Sequence, residues 1–528
     1  MNRVFKKALA YIYRSDTLFF SVVSLAAVAM IFVVTLYTGN TGAPFWDFPV
    51  DDAWIHLTYM RGILRDGFPS YNPGVAESGF SSPLWLIAAL PAYITGNWLH
   101  AIPLWIKGTS ALFAIVTLIG AARLATIFTG RRITGIAAIG LLLAWPLFWF
   151  SSMSGMEITL AMATITFAVL EWKQTRYLQG GILAALAILS RPEAVCIVFG
   201  MTLVQLFSPG STPKKIVFTT QLVLPSLFST IIWGTYNFWI TGHLLPNTFY
   251  VKSTFSLVHN TTLFIPHLLF GHTPATGVGM VMLLTIAAIR LKYVPPHRRL
   301  SFAVPILISL LALFAVLATR PVLLHVSFYQ TRYYAPFMPM LLAGAVAMLN
   351  PSFPRRFQFS SSLGEIGVLL FVIGGIIHLP SQVASYQAHC EEIRALHTVA
   401  AKYVQTQFPD DTAIAVEGAG AMSFFSGKTV IDLNGLNNYR IAHGQGGEGL
   451  FCQLANHHPS LVAVPSTWHR SVEQLFHIRS TLEFSYAQTH FSSAPTTRRL
   501  HIYRVSLRNW VTQRCRVMQT AAHQKPLL

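Results

Sequence analysis

The sequence predicts a polytopic α-helical membrane protein with a water-soluble domain at its C-terminal end. Only 11% of the 528 residues are charged and 53% are hydrophobic, whereas a soluble domain carries about 25% charged residues. Apolar stretches of about 15 to 25 residues recur up to roughly residue 380, long enough to span or nearly span a bilayer. From about Pro380 onward the sequence turns polar, which predicts the soluble domain.

Eleven apolar segments are predicted to cross the membrane. The first is too long for the apolar part of a cleaved signal peptide, so we expect it to be retained. A further segment, 83–96, has only about 14 residues and is expected to lie at the interface or to re-enter the membrane. The predicted spans are 17–37, 103–126, 133–150, 157–171, 178–190, 193–207, 216–235, 274–290, 301–319, 335–349 and 362–379.

The basic residues predict the orientation of these spans. The formal net charge is +18, and Lys and Arg form short clusters between the apolar segments. If 83–96 does not cross, every cluster falls on the cytoplasmic side, as the positive-inside rule requires. The N-terminus is then cytoplasmic, and the large loops at 39–102 and 236–273 lie outside. This distribution, with no zinc-finger or RNA-binding motif, argues against nucleic-acid binding. The clusters are Arg3/Lys6/Lys7/Arg14, Arg131/Arg132, Lys173/Arg176, Lys214/Lys215, Arg290/Lys292/Arg298/Arg299 and Arg355/Arg356.

Two domains are expected, a transmembrane catalytic domain at 1–379 and a soluble extracytoplasmic domain at 380–528. Within the second, Thr412–Val416 and Thr429–Leu433 alternate like short strands, and Glu391–Gln407 has helical spacing. The soluble domain is therefore predicted to be α/β or β-rich. One disulfide is allowed there, with three pairings open among Cys390, Cys452 and Cys515.

Adjacent carboxylates, Asp51 and Asp52, open an amphipathic stretch in the first outer loop. Two neighbouring carboxylates repel each other, which raises the proton affinity of one of them. A carboxylate in this state suits a general base that deprotonates a sugar hydroxyl. The alternative is that one of the two caps the helix. Paired carboxylates also suit a divalent cation, which stays open here, and no other metal site is predicted.

Segments in order along residues 51–436 resemble the GT-C glycosyltransferases, and in particular the family similar to mycobacterial arabinofuranosyltransferase B. In the membrane-domain half they are Asp51-Asp52-Ala53-Trp54-Ile55, Tyr59-Met60-Arg61, Tyr71-Asn72-Pro73-Gly74, Ser81-Ser82-Pro83-Leu84-Trp85, Ser154-Gly155-Met156-Glu157, Leu189-Ser190-Arg191-Pro192-Glu193, Leu245-Pro246-Asn247-Thr248-Phe249-Tyr250-Val251-Lys252 and Arg332-Tyr333. In the soluble domain they are Gly418-Ala419-Gly420-Ala421, Ser426-Gly427-Lys428 and Ile431-Asp432-Leu433-Asn434-Gly435-Leu436.

The resemblance implies a GT-C fold and an inverting sugar transfer at the outer face of a bacterial inner membrane. The donor would be a polyprenyl-phosphate sugar, with a pentofuranose such as arabinofuranose as one candidate. The acceptor would be an envelope glycan or glycolipid, such as lipopolysaccharide. In that family an Asp of the first outer loop is the base, which corresponds here to Asp51 or Asp52.

Further residues are predicted to bind substrate. Cations at the outer face would hold the donor phosphate, and aromatic residues would border the prenyl chain. A structural ion pair between Arg191 and Glu193, a helix cap at Glu157 and a pair between Glu77 and Arg61 are the alternatives. The predicted binding residues are His56, Tyr59, Arg61, Asn72, Glu77, Trp85, Glu157, Arg191, Glu193, His243, Asn247, Tyr250, Lys252 and Arg332.

Two other classes of protein stay as alternatives. A lipid or solute transporter would place charges at mid-membrane on broken helices, whereas the acids here lie at the outer ends of spans. A lipid-linked glycan ligase or polymerase would use arginine-rich outer loops and would not need Asp51 and Asp52. The Gly418-x-Gly420 segment lacks the third glycine of a dinucleotide-binding motif, so no nucleotide cofactor is expected.

Overall fold

The computed structural model of the chain describes residues 16–37, 42–208, 211–253, 274–294, 296–319, 332–349, 358–409, 413–444, 448–488 and 496–523. The basic cluster before residue 15, the pair Arg355/Arg356 and positions 254–273 of the second predicted loop lie outside these residues. Contacts divide the chain into two compact units. The helical unit comprises Met1–Thr38, Ile106–Ile232 and Ser253–Val383, and the sheet unit comprises Gly39–Trp105, Trp233–Lys252 and Ala384–Leu528.

Every predicted span falls on a helix. Five helices are long and apolar enough to cross a membrane, or six if one bent pair counts as a single span. The chain is therefore a multi-pass membrane protein, and the number of eleven crossings stays a prediction. The helices are Asp16–Tyr37, Ile102–Thr129, Arg132–Ala144, Pro146–Met153, Ile158–Lys173, Tyr177–Ser190, Val195–Phe207, Thr212–Thr241, Pro274–Leu291, Pro296–Thr319, Met338–Met348 and Gln358–Ile393, with 3-10 turns at Pro192–Ala194 and Ala335–Phe337.

The predicted span at 133–150 is not one straight helix. Helices Arg132–Ala144 and Pro146–Met153 meet at an angle of 74°. The residue between them, Trp145, has an extended backbone with φ −87° and ψ 115°. Proline lacks an N–H and disfavours helical conformation in the preceding residue, so Pro146 ends one helix and starts the next.

The sheet unit collects the segments 39–105 and 233–252 with the C-terminal part of the chain. The segments before residue 253 contribute helices Ala43–Trp46, Asp52–Asp66, Pro83–Trp98 and Asn247–Lys252. The C-terminal part contributes a π-helical turn at Arg394–Thr398, helices Val399–Gln407, Ala421–Ser426, Tyr439–His443, Glu448–His457, His469–Leu475 and Asn509–His523, and five strands. The interfacial position predicted for 83–96, now helix Pro83–Trp98, and the domain boundary at 379/380 stay predictions.

The five strands form one mixed sheet in the order β2-β1-β3-β5-β4. Strands β1, β2 and β3 are parallel, and β5 pairs antiparallel with β3 and with β4. All four residues of β1 are buried, as expected for a short parallel strand covered on both faces. The predicted soluble domain is therefore α/β. The strands are β1 Ala413–Val416, β2 Thr429–Asp432, β3 Leu461–Pro465, β4 Phe476–Gln488 and β5 Thr496–Leu507.

A disulfide joins Cys452 and Cys515, on helices Glu448–His457 and Asn509–His523. Of the pairings left open by the sequence, this one forms, and Cys390 is a buried free thiol.

Replacing both disulfide cysteines with serine should lower the free energy of unfolding of the C-terminal domain by about 4 kcal/mol, since the bond closes a loop of 63 residues. Thermal unfolding with and without reductant measures this effect. Reductant should lower the midpoint of the wild type and leave that of the double variant unchanged. A wild type that is fully reduced, by thiol counting, yet unfolds at the same temperature would contradict the prediction.

Candidate active site

The carboxylate of Asp51 binds the N-terminus of a short helix in the C-terminal part of the sheet unit. Its Oδ2 accepts a hydrogen bond from the N–H of Gly420 at 2.7 Å, and its Oδ1 accepts one from the N–H of Ala421 at 2.8 Å. The capping alternative is wrong for Asp51, because its side chain makes no capping hydrogen bond to helix Asp52–Asp66. Both oxygens instead hold the loop that follows β1.

Two glycines make this approach sterically feasible. A Cβ on Gly420 would lie 2.0 Å from the backbone oxygen of Asp51 and 2.6 Å from its Cγ. A Cβ on Gly418 would lie 2.6 Å from Cε1 of His397. The Gly418-x-Gly420 segment, which does not fit a nucleotide motif, therefore has a packing role.

Asp52 faces a lysine of the second outer loop. Its Oδ2 lies 3.3 Å from Nζ of Lys252, and the two side chains are 21% and 27% exposed. The lysine ends the short helix Asn247–Lys252, which is separated from Asp52 by 200 positions in sequence. The structure thus brings together two of the residues predicted for the site, and both are partly open to solvent.

Two further carboxylates belong to the same site, and sequence reasoning missed both. Glu417 follows β1, and burial together with the charges of Asp51 and Asp52 raises its pKa, partly offset by His397. Asp432 ends β2, is fully buried, and has its pKa raised to about 6 by burial, partly offset by hydrogen bonds from Asn437 and Asn434 and by the charge of Lys252.

The position of these two acids carries a signal that the sequence contains. Val416, just before Glu417, pairs with Asp432 across the parallel strands β1 and β2. The carboxyl ends of neighbouring parallel strands meet at one edge, where ligands bind in open α/β sheets. The two strands were predicted correctly, but their pairing could not be predicted from local periodicity.

Glu77 is buried in a polar group beside Lys252. It is 4% exposed, and its Oε2 accepts hydrogen bonds from the N–H of Tyr439 at 3.2 Å and from Nδ2 of Asn247 at 3.4 Å. The Asn247 Oδ1 lies 3.3 Å from Nε2 of His443. His243 stacks on His443 with ring centres 3.7 Å apart, so four elements of the sheet unit converge here.

Burial raises the pKa of Glu77 to about 8, against its ordinary value of 4.5. The folded carboxyl keeps its proton where the unfolded carboxyl has lost it. The resulting stability is therefore complete below about pH 4.5 and is lost as the pH rises through about 8.

A Glu77→Gln variant should consequently unfold at the same temperature as the wild type at pH 5 and several degrees above it at pH 8.5. Thermal unfolding across this pH range tests the prediction. Glu473→Gln, on a side chain that is 53% exposed, is the matched control and should follow the wild-type curve. Parallel curves for Glu77→Gln and the wild type would contradict the prediction.

The remaining predicted residues of the first loop hold the sheet unit together. The Tyr59 hydroxyl accepts a hydrogen bond from the N–H of Gly79 at 3.0 Å. Arg61 donates to the carbonyls of Phe424 and Ser423, so it does not pair with Glu77. The amide of Asn72 exchanges two 2.9 Å hydrogen bonds with the backbone of Val430. Their substrate-binding role stays a prediction, as it does for the buried His56 and Trp85 and for Tyr250, whose ring packs against His443.

The other four predicted residues form a separate buried group in the helical unit. Nη1 of Arg191 lies 2.7 Å from Oε1 of Glu157, and its Nε lies 3.5 Å from Oε2 of Glu193. The guanidinium groups of Arg191 and Arg332 lie 4.8 and 5.2 Å from the ring centre of Tyr333. The alternative of a structural ion pair between Arg191 and Glu193 is thus observed, whereas the side chain of Glu157 makes no capping hydrogen bond.

Carboxylates in such numbers raise the question of a metal ion. In the ranges that the structure describes, no group of three or more His, Cys, Asp or Glu side chains forms a candidate metal site. At Asp51 both oxygens accept amide hydrogen bonds, and Asp52 faces an ammonium group. A divalent cation at this pair stays an untested alternative.

Comparison of sequences identifies only the C-terminal part. A family model described as a domain of unknown function, DUF8728, matches residues 383–507, which is less than half of the chain. No curated protein sequence matches the chain.

Comparison of folds covers nearly the whole chain. The crystal structure of ArnT from Cupriavidus metallidurans in the apo state matches with a TM-score of 0.57 at 12% identity, over 92% of this chain and 97% of ArnT. The cryo-EM structure of the arabinofuranosyltransferase AftD from mycobacteria matches with a TM-score of 0.53 at 13% identity, over 92% of this chain and 40% of AftD. Both are GT-C glycosyltransferases, so the GT-C fold that the sequence predicts is confirmed.

Proposed function

We propose that the chain is an integral membrane glycosyltransferase of the lipid-linked sugar type. It moves a sugar from a polyprenyl-phosphate donor to an envelope glycan or glycolipid acceptor. One observation carries the proposal: in a GT-C fold, Asp52 lies partly exposed beside Lys252, with Glu417 and Asp432 close to the same charges. A carboxylate next to a cation suits both proton removal from a hydroxyl and binding of a phosphate.

Asp52 is the general base in this proposal. The carboxylate of Asp51 is committed to the amides of Gly420 and Ala421, and its removal would release that loop. Asp52 keeps a partly exposed carboxylate, held by Lys252, that an acceptor hydroxyl can approach. The two adjacent acids therefore divide the tasks, one positioning the loop and one taking the proton.

The reaction then follows with its charges balanced. Asp52 takes the proton of the acceptor hydroxyl as the acceptor oxygen forms a bond to the anomeric carbon of the donor. The bond from that carbon to the phosphate oxygen breaks, and polyprenyl phosphate leaves with the electron pair. Attack from the opposite side inverts the anomeric configuration. We further propose that Lys252 and His243 of the sheet unit offset the charge of the phosphate.

The finer assignments follow the same proposal. The protein acts in a bacterial inner membrane, with the site and the C-terminal domain on the periplasmic side. A pentofuranose such as arabinofuranose is the first sugar to test, since AftD, one of the two proteins with a matching fold, is an arabinofuranosyltransferase. Binding of donor phosphate by Arg191 or Arg332 stays a prediction, because both side chains are buried in the ion and ring contacts of the helical unit.

Release of polyprenyl phosphate tests the class. Purified full-length protein in lipid would be given a panel of polyprenyl-phosphate sugars with and without extracted envelope glycan. Acceptor-dependent release is the expected result. A protein that binds the glycan but releases no phosphate from any donor would favour a ligase or polymerase. Movement of a lipid or solute across vesicles without any release would favour a transporter.

A further inference from the structure

The sheet unit contains a second polar cavity, next to the site but distinct from the carboxylates around Lys252. Its volume is about 380 Å³, within the range of pockets that hold small ligands. Its wall includes Glu77, Asn438, Tyr439, Arg440, Gln453 and Asn456. We call it the amide cavity, after its carboxamide side chains.

We infer that the amide cavity binds the glycan part of the acceptor, a hydroxyl-rich saccharide. This inference rests on the proposed transferase function for the choice of acceptor. Its physical basis is the set of side chains in the wall, the single guanidinium among them and the contact that links the cavity to Lys252.

The wall combines donors and acceptors in equal measure. Three carboxamides, those of Asn438, Gln453 and Asn456, each offer an acceptor oxygen and a donor NH2 group. Sugar hydroxyls both donate and accept, so a planar amide can bind two neighbouring hydroxyls at once. Tyr439 adds a phenol ring against which the apolar face of a sugar can pack.

The same wall does not suit the other ligands that a membrane enzyme meets. Among the described residues of the wall, the permanently charged cation is Arg440, whose Nε donates to the Tyr439 hydroxyl at 3.1 Å. A phosphate group would call for several cations. A prenyl chain would call for an apolar wall, whereas Val75 and two-sided polar neighbours line this one.

Two of the amides are already oriented by the fold. Nδ2 of Asn438 donates to Oε1 of Gln453 at 3.0 Å, and Oδ1 of Asn438 accepts from the N–H of Arg440 and of Ile441. These bonds leave the remaining NH2 group of Gln453 for a ligand. Asn456 and Arg440 lie exposed at the rim, so a saccharide can enter without unfolding the wall.

A chain of contacts links the cavity to the proposed base. Glu77 lines the cavity and accepts a hydrogen bond from Asn247. That residue begins the helix that ends at Lys252, the partner of Asp52. A glycan seated in the amide cavity therefore lies on the side of the site where an acceptor hydroxyl must approach. The raised pKa of Glu77 keeps this carboxyl neutral at pH 7, which avoids a buried charge beside the sugar.

Binding of free oligosaccharides tests the inference without using the donor. The probe would be oligosaccharides released from envelope glycan, free of lipid and phosphate, titrated into full-length protein in lipid nanodiscs. The Arg440→Ala/Asn456→Ala variant should bind them at least about tenfold more weakly than the wild type, since two side chains that would hydrogen-bond the ligand are lost. Gln513→Ala, which removes an exposed amide outside the cavity, is the matched control and should bind as the wild type does.

Each outcome decides the point. Equal affinity of the wild type and the double variant overturns the inference, and so does a wild type that binds none of the oligosaccharides. Because both changed residues are exposed, thermal unfolding should confirm that the variant is folded; Asn456→Ala alone serves if it is not. Polyprenyl phosphate release, measured in parallel, separates the two proposals. Acceptor-dependent release with unaltered binding by the variant sinks the cavity alone, whereas cavity-dependent binding without any release sinks the transferase.

Discussion

The Asp52→Asn variant should lose transfer activity by a factor of about 10² to 10⁴ while keeping its fold, because an amide cannot take the proton of the acceptor hydroxyl. Asn has the same shape as Asp and still accepts a hydrogen bond from Lys252, which lies 3.3 Å away in the wild type. The measurement is the rate of acceptor-dependent polyprenyl phosphate release, together with thermal unfolding of the same preparation.

The neighbouring position provides the decisive comparison. Asp51→Asn should chiefly destabilise the protein, since one of its oxygens becomes an NH2 group that faces the N–H of Gly420 or Ala421. Asp16→Asn, at an acid of the helical unit that is 44% exposed, is the matched control and should retain activity. Full activity in Asp52→Asn, with loss of activity at unchanged stability in Asp51→Asn, would reverse the assignment of the base.

The second large effect is expected from Gly420→Ala. The added Cβ would lie 2.0 Å from the backbone oxygen of Asp51, so the loop after β1 and the start of helix Asp52–Asp66 must separate. That separation breaks two hydrogen bonds to a carboxylate and should destabilise the sheet unit by about 3 kcal/mol or more. Activity should fall as well, because Asp52 loses its position relative to Glu417.

Thermal unfolding and limited proteolysis would measure this change. Gly140→Ala is the matched control, because an added Cβ there meets nothing within 4 Å and its helix should tolerate alanine. A Gly420→Ala protein with the stability and activity of the wild type would show that the contact between Asp51 and the loop does not form in solution.

Composition and periodicity determined the class of this protein. Apolar length placed each helix of the helical unit within a few residues, because a segment that must satisfy its backbone inside a membrane is helical regardless of its neighbours. The alternating segments at 412–416 and 429–433 likewise predicted β1 and β2. The scattered segments that resemble GT-C glycosyltransferases predicted the fold that the comparison with ArnT and AftD confirms.

Local pattern misjudged one element of the helical unit. Apolarity alone predicted a single span at 133–150, and the backbone constraint at Pro146 divides it. The proline was visible in the sequence, but whether it kinks or breaks a helix depends on how the freed backbone groups are satisfied by surrounding residues.

The composition of the active site was decided by tertiary structure. Asp51 and Gly420 are 369 positions apart, and Lys252 is 200 positions from Asp52. The amides at the start of helix Ala421–Ser426 turn Asp51 into a positioning residue, a role that the pair of acids could not reveal. Glu417 and Asp432 join the site because β1 and β2 pair in parallel. Periodicity along the chain reports which face of an element is buried, whereas contacts between distant elements depend on packing that no local window contains.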